Sequence, residues 1–301
     1  MQVSATRTAM HLFPGVISFQ SSRASNFLPL PESFRSWAIV ESSVSFIRFT
    51  EGRGHLAGIL FIISAPSGSG KSTLVGEVRK QLTGIDFSVS WTTRPPRGSE
   101  QDGREYHFTT RDNFLQMIAA GEFLEYAEVF GNFYGTSRRS LDQARSVNHD
   151  LLLDIDVQGA AQVRTSLAEA VSIFVLPPNP KVLRTRLRNR SRAEGHVNEA
   201  ELYRRLSEAS KEIENYKEYG YILVNDILDR AVAQLEAIVQ AERFYRNGEP
   251  ITYRPGRVLE VAAACRQSNA QDRLKPVLEA FGILSSEGQQ QLNFGEDHDD
   301  D

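Results

Sequence analysis

The chain has 301 residues, 41% hydrophobic and 24% charged, which fits a globular protein of one or two domains and excludes a collagen, a disulfide scaffold and a wholly disordered chain. Its uninterrupted apolar runs, such as Ile59 to Ile63, fall far short of the ~20 residues of a spanning helix, which excludes an integral membrane protein. Five of the 38 acids sit in the tail Glu296-Asp297-His298-Asp299-Asp300-Asp301; without them 34 bases face 33 acids, so the body lacks the basic field of a nucleic-acid binder. The single cysteine, Cys265, cannot form an internal disulfide and fits a reducing cytoplasm.

Residues 1–50 hold ten serines, with Arg7, Arg23, Arg35 and Arg48 against Glu32 and Glu41, and show no sustained apolar period. Residues 1–57 are read as an extension, disordered or non-native, with an organellar transit peptide as the less favoured alternative. From Gly58 the texture changes. Ile59-Leu60-Phe61-Ile62-Ile63 reads as a buried parallel strand entering a glycine-rich loop, and Leu74, Val75, Val78 and Leu82 predict a helix over 71–82. Further strands are expected at 87–90, 151–154, 173–176 and 221–224, and helices at 112–120, 180–190, 199–216 and 226–246. This alternation predicts an α/β fold with a mainly parallel sheet flanked by helices, over 58–250. Residues 251–301 are read as a C-terminal extension with short helices at 258–265 and 274–284 and an acidic tail.

Ala65-Pro66-Ser67-Gly68-Ser69-Gly70-Lys71-Ser72 has the spacing of a phosphate-binding loop, with alanine at the usual first glycine. Backbone N–H groups must wrap a polyphosphate, and Gly68 and Gly70 permit the approach. The following helix, from Lys71-Ser72-Thr73, turns its positive end to the anion. Lys71 supplies a mobile charge, and the Ser72 hydroxyl is placed to ligate Mg²⁺. The loop alone says only nucleoside triphosphate.

In Ser90-Trp91-Thr92-Thr93-Arg94-Pro95-Pro96-Arg97 two arginines are fixed by two prolines as a fork suited to phosphate. Tyr106 and Tyr134 carry hydroxyls that can donate to phosphate oxygens, though either alone reads as a packing residue. Glu125 follows in Glu122-Phe123-Leu124-Glu125. Leu151-Leu152-Leu153-Asp154-Ile155-Asp156 is an apolar strand ending in acid, where ligands of parallel sheets bind. One of Asp154 and Asp156 can approach Mg²⁺ through water and the other a base; the less favoured alternative for Asp156 is the N-cap of a helix over 157–163. Arg186 and Arg190 lie four apart on one helix, Arg205 falls on the next, and Asn225 ends a strand.

The strings Ser-Ala-Pro-Ser-Gly-Ser-Gly-Lys-Ser, Thr-Thr-Arg-Pro-Pro-Arg, Gly-Asn-Phe-Tyr-Gly-Thr and Leu-Asp-Ile-Asp-Val-Gln-Gly make the chain resemble the guanylate kinases, from about Gly58 to about Arg246. The resemblance implies a P-loop kinase fold with a small GMP-binding insertion at about 86–135 and a helical lid at about 180–205. It implies Mg²⁺-dependent transfer of the γ-phosphate of ATP to GMP or dGMP. Ala65 to Thr73 and Asn225 would hold ATP, the latter beside the adenine. Arg94, Arg97, Tyr106 and Tyr134 would hold the GMP phosphate, and Ser90, Glu125, Thr136 and Asp156 would read guanine. Ser72 would ligate Mg²⁺ directly, and Asp154 through water. Lys71, Arg94, Arg186, Arg190 and Arg205 would be catalytic; Arg184, Arg188 and Arg204 do not match the family pattern.

The chemistry is consistent. Guanine offers N1–H and N2–H₂ donors that carboxylates accept, whereas adenine would leave a buried carboxylate unpaired. The acceptor phosphate has a second pKa of about 6, so it needs no general base, and catalysis reduces to positioning and charge neutralisation. A silent scaffold module would have a degraded phosphate loop, a GTP switch an Asn-Lys-x-Asp motif, and a kinase for AMP or CMP would lack the Glu125/Asp156 pair.

Overall fold

The computed structural model of the chain describes residues 58–193 and 198–284; the expected N-terminal extension, the acidic tail and residues 194–197 of the expected lid lie outside the described residues. The first strand, β1 (Leu60–Ser64), runs into the glycine-rich loop, and α1 (Lys71–Val78) leaves it, ending a turn before the sequence expectation. Then come β2 (Ile85–Phe87), β3 (Trp91–Thr92), β4 (His107–Phe108), α2 (Arg111–Ala119), β5 (Phe123–Val129), β6 (Asn132–Ser137) and α3 (Arg138–Ser146). The second half alternates strand and helix, with two helices between its last two strands: β7 (Asp150–Asp154), α4 (Val157–Ser166), β8 (Val171–Leu176), α5 (Pro180–Ala193), α6 (Glu199–Ile213), β9 (Tyr221–Val224) and α7 (Leu228–Asn247). Two more helices follow, α8 (Pro255–Cys265) and α9 (Gln271–Ala280).

Five strands form one wholly parallel sheet in the order β2-β7-β1-β8-β9. The chain leaves β1 for β2 on one side and later returns to β8 on the other, so the carboxyl end of β1 is the switch point at which such sheets bind ligands. Side chains alternate faces along each strand. Leu60 and Ile62 therefore join one apolar cluster, with residues of α3 to α6 and α9, while Phe61 and Ile63 join a second, with α1, α7 and α8. Strands covered on both faces become the continuous apolar runs visible in the sequence. This is the expected P-loop α/β architecture.

A second sheet of four strands, β4-β3-β6-β5, fills the expected insertion, with α2 packed on it through Phe114, Met117 and Phe123. Of its strands, all absent from the sequence expectation, β3 and β4 have only two residues each. The strand expected at 87–90 is Ile85–Phe87; Ser88 still donates to the Leu152 carbonyl of β7 at 3.1 Å, and Val89 and Ser90 lie beyond the strand. The helix expected over 199–216 ends at Ile213 and continues as a tighter turn, Glu214–Glu218.

The segment after residue 250 does not stand aside from this body. Cys265 and Ala262 of α8 lie in the cluster with α1 and α7, and Leu274, Val277 and Leu278 of α9 lie in the other. Arg273 donates to the Ile222 carbonyl of β9 at 2.9 Å. The segment read as a C-terminal extension is thus packed on the body through α8 and α9.

Candidate functional site

The phosphate loop leaves the central strand and closes on α1. Gly70 is the N-cap of that helix with φ 87°, a left-handed conformation that glycine adopts freely, and a Cβ there would meet Asn225 Nδ2 at 2.5 Å. No side chain caps the helix and no acid lies in its first turn. Its leading N–H groups and its positive end are thus left for an anion.

Three side chains tie the loop and the start of α1 to the surrounding fold. Asn225 Nδ2 donates to the Ser69 carbonyl at 2.8 Å, and Arg186 donates to that carbonyl at 3.0 Å and to the Asn225 carbonyl at 2.9 Å. Lys71 Nζ reaches Asp154 at 2.6 Å and the Ile155 carbonyl at 2.7 Å. Burial works against the Lys71 charge, but the Asp154 carboxylate outweighs it and holds the ammonium pKa above its ordinary value.

In front of the loop opens a cleft of about 870 Å³. Ala65, Pro66, Ser67, Gly68, Ser69, Gly70, Lys71, Ser72 and Thr73 line one side, with Asp154, Asp156 and Asn225. Ser90, Arg97, Tyr106, Glu125 and Tyr134 come from the insertion, and Arg186, Arg190 and Arg205 from α5 and α6. All twenty site residues expected from the sequence other than Arg94 and Thr136 thus converge from segments far apart in the chain.

Arg94 and Thr136 are not on this wall. Arg94 is 6% exposed and engages Glu100 with two hydrogen bonds, 2.9 and 3.0 Å. Its guanidinium lies 5.3 Å from the centroid of the Tyr106 ring, behind the cleft. Thr136 is fully buried opposite Glu125 in the β5–β6 register. Asp156 is the N-cap its sequence allowed, its carboxylate accepting from the Gly159 N–H at 2.8 Å, and it also lines the cleft.

Glu125 is 4% exposed on a strand where a charge is out of place. A register shift between Phe123 and Glu125 re-aims the chain there. Burial above all, with the neighbouring Asp156 carboxylate adding, pushes its carboxyl pKa up to about 7, against the opposing pull of Thr136 and Lys71. Burial, with Asp154 adding, likewise raises the Tyr106 phenol, which keeps it a donor.

The structure adds wall residues that sequence reasoning missed: Phe130, Glu208, Glu212 and Asp226. Burial pushes the Glu212 carboxyl up to about 7, although the Ser67 amide of the loop, which donates to it, pulls the other way. Glu208 and Glu212 fall three and seven residues after Arg205 on α6, a helical spacing that could have found them.

Among the described residues no cluster of three or more His, Cys, Asp or Glu side chains can hold a metal ion alone. The hard oxygen donors at the loop, Ser72 and Asp154, suit a cation that keeps its remaining positions for phosphate oxygens and water, as Mg²⁺ does.

Residues 58–242 match the family model described as Guanylate kinase. A guanylate kinase of Koribacter versatilis is 52% identical over 226 residues, covering 75% of this chain and 97% of that protein. One from Vibrio cholerae is 45% identical over 198 residues, 65% of this chain and 94% of that protein. The crystal structure of guanylate kinase from Anaplasma phagocytophilum superposes with a TM-score of 0.52 at 34% identity, covering 62% of this chain and 86% of that one.

Proposed function

This chain belongs to the guanylate kinase family, and from that membership we propose which groups of its cleft carry the reaction. It is an ATP:GMP phosphotransferase, converting ATP and GMP to ADP and GDP. The observation that carries the assignment of roles is the meeting, in one cleft, of a bare helix N-terminus with Lys71 and of two acids, Glu125 from the insertion and Asp156 from the end of β7.

The loop amides and Lys71 hold the β- and γ-phosphates, with the Asn225 and Arg186 braces keeping the Ser69 turn in place. Arg97, Tyr106 and Tyr134 receive the GMP phosphate, and Arg94 stiffens that pocket from behind Tyr106. Glu125 and Asp156 accept the guanine N1–H and N2–H₂ donors, Ser90 lies on the same wall, and Thr136 orients Glu125. Arg190 and Arg205 approach from α5 and α6; Arg205 is paired with Glu201 one turn away.

GMP then presents a phosphate dianion in line with the γ-phosphorus, and no side chain has to remove a proton. The two polyanions repel, so the barrier is lowered by the positive groups that surround their meeting point. Ser72 and Asp154 would hold Mg²⁺, which when bound neutralises phosphate charge. The helices bearing the arginines exclude water, the competing nucleophile.

This reading places the chain in the cytoplasm as a small-molecule enzyme without a nucleic-acid partner. The buried free thiol of Cys265 and the near-neutral body support it. No helix among the described residues is long and apolar enough to cross a membrane.

Lys71→Ala tests the core of the assignment. Its turnover should fall by at least about 10³-fold, the scale of losing a transition-state charge partner, with the circular dichroism of the fold retained. Wild-type turnover in a folded Lys71→Ala protein would contradict it.

A further inference from the structure

The hairpin β5–β6 turns through only two residues, Phe130 and Gly131, between the paired Val129 and Asn132. Both turn residues have positive φ, 51° and 77°. That is the geometry of a type I′ turn, in which Asn-Gly or Gly-Gly is the low-cost pair. A phenylalanine in the left-handed region is strained, and such strain persists where the surroundings use it. The Phe130 ring is not buried in a core that would repay it: the residue is 52% exposed and lines the nucleotide cleft.

Its partner comes from across the cleft. The Arg204 guanidinium lies over the Phe130 ring, 4.6 Å from the centroid. Arg204 stands on α6 next to Arg205 and is also paired with Glu208 Oε1 at 3.6 Å, one turn on; Glu208 itself lines the cleft. Arg204 lies outside the family's arginine pattern, and the mechanism above gives neither it nor Phe130 a task. Among the contacts described, this ring-and-cation pair ties the turn of the acceptor-side hairpin to the helix that carries Arg205.

We propose that Phe130 and Arg204 form a latch across the mouth of the cleft, which holds the acceptor hairpin against α6 while GMP is bound. Both are positioning residues, and neither touches the reacting atoms. The proposal rests on the reading of the cleft given above. A latch of this kind favours the closed cleft over the open one, so it acts on GMP retention and on the exclusion of water rather than on the transfer step. A half-exposed cation–π pair is weak, which suits a contact that must break at each turnover.

The test is a double-mutant cycle on the full chain, read by ADP release with and without GMP and by thermal melting. Arg204→Ala should raise KM for GMP about two- to fivefold, the range of an exposed cation–π contact, leave kcat within a factor of two, and raise the share of ATP hydrolysed without GDP formation. Arg204→Lys, which keeps a cation, should restore the wild-type KM. Phe130→Gly relieves the turn, so its Tm should be equal or higher while its KM for GMP rises to the same level. The double variant should be no worse than either single one. A KM unchanged in Arg204→Ala, additive effects in the double variant, or no rescue by lysine would overturn the latch. A wild-type protein whose ADP release ignores GMP would instead overturn the assignment of the cleft, and the latch with it.

Discussion

Gly159 lacks a side chain where one would collide with the Glu125 carboxylate: a Cβ there would sit 2.3 Å from Oε2. The first turn of α4 thus makes room for an acid on β5 and, through the Gly159 N–H, binds the other acid, Asp156. Gly159→Ala must push Glu125 aside, so KM for GMP should rise at least about tenfold while KM for ATP stays near wild type; equal effects on both nucleotides would contradict this. The raised Glu125 pKa has a second consequence. Guanine donors need the carboxylate, and with a pKa of about 7 much of Glu125 is protonated at neutrality. With Glu125 taking the guanine donors as proposed, binding GMP would release a proton. Between pH 8 and pH 6 the KM for GMP should rise as pH falls, more steeply in wild type than in Glu125→Gln, whose baseline KM is higher. The titration of GMP itself, near pH 6, is common to both proteins. A Glu125→Gln profile parallel to that of wild type would remove Glu125 from base recognition.

At this scale the phosphate loop was legible because its residues are contiguous and its chemistry is local to one strand, one turn and one helix. The standing of Arg94 and Thr136 was not. Each depends on a partner across a fold that the string does not display: Glu100 and the Tyr106 ring for Arg94, the β5–β6 register for Thr136. Phe130 was passed over because Phe-Gly carries no strong turn signal, whereas Asn-Gly would have.

Among the elements, the parallel strands announced themselves as apolar runs covered on both faces. The insertion did not, since two of its strands have two residues and its core is the small Phe114, Met117 and Phe123 group. The C-terminal helices were visible as periodic segments, but periodicity does not say what a helix packs against. Leu274, Leu278 and Phe281 are essentially buried in the cluster with β1, β7 and α5. Burial of each contributes about 2 kcal/mol, so their joint removal takes a large part of the roughly 5–15 kcal/mol that holds a domain. A chain ending at residue 250 is therefore expected to be insoluble or to melt at least about 10 °C below the full chain. A fragment 58–250 that melts with the full chain and keeps its activity would show that these helices are dispensable.

In the whole molecule, the sheet order places three separately encoded things at one edge. The loop after β1, the acids after β7 and the Asn225 turn after β9 all lie at carboxyl ends of parallel strands, flanked by the insertion and by α5 and α6. In the proposed function the positive groups of that edge would bring two repelling nucleotides together, and the paired acids would decide which purine enters. The most direct measurement is initial-rate ADP release by the full chain from MgATP against GMP, dGMP, IMP, AMP and CMP. GMP and dGMP should be turned over, IMP, which lacks the 2-amino donor, more weakly, and AMP and CMP on the order of 10⁴-fold less efficiently in kcat/KM. AMP or CMP accepted as well as GMP would contradict the account.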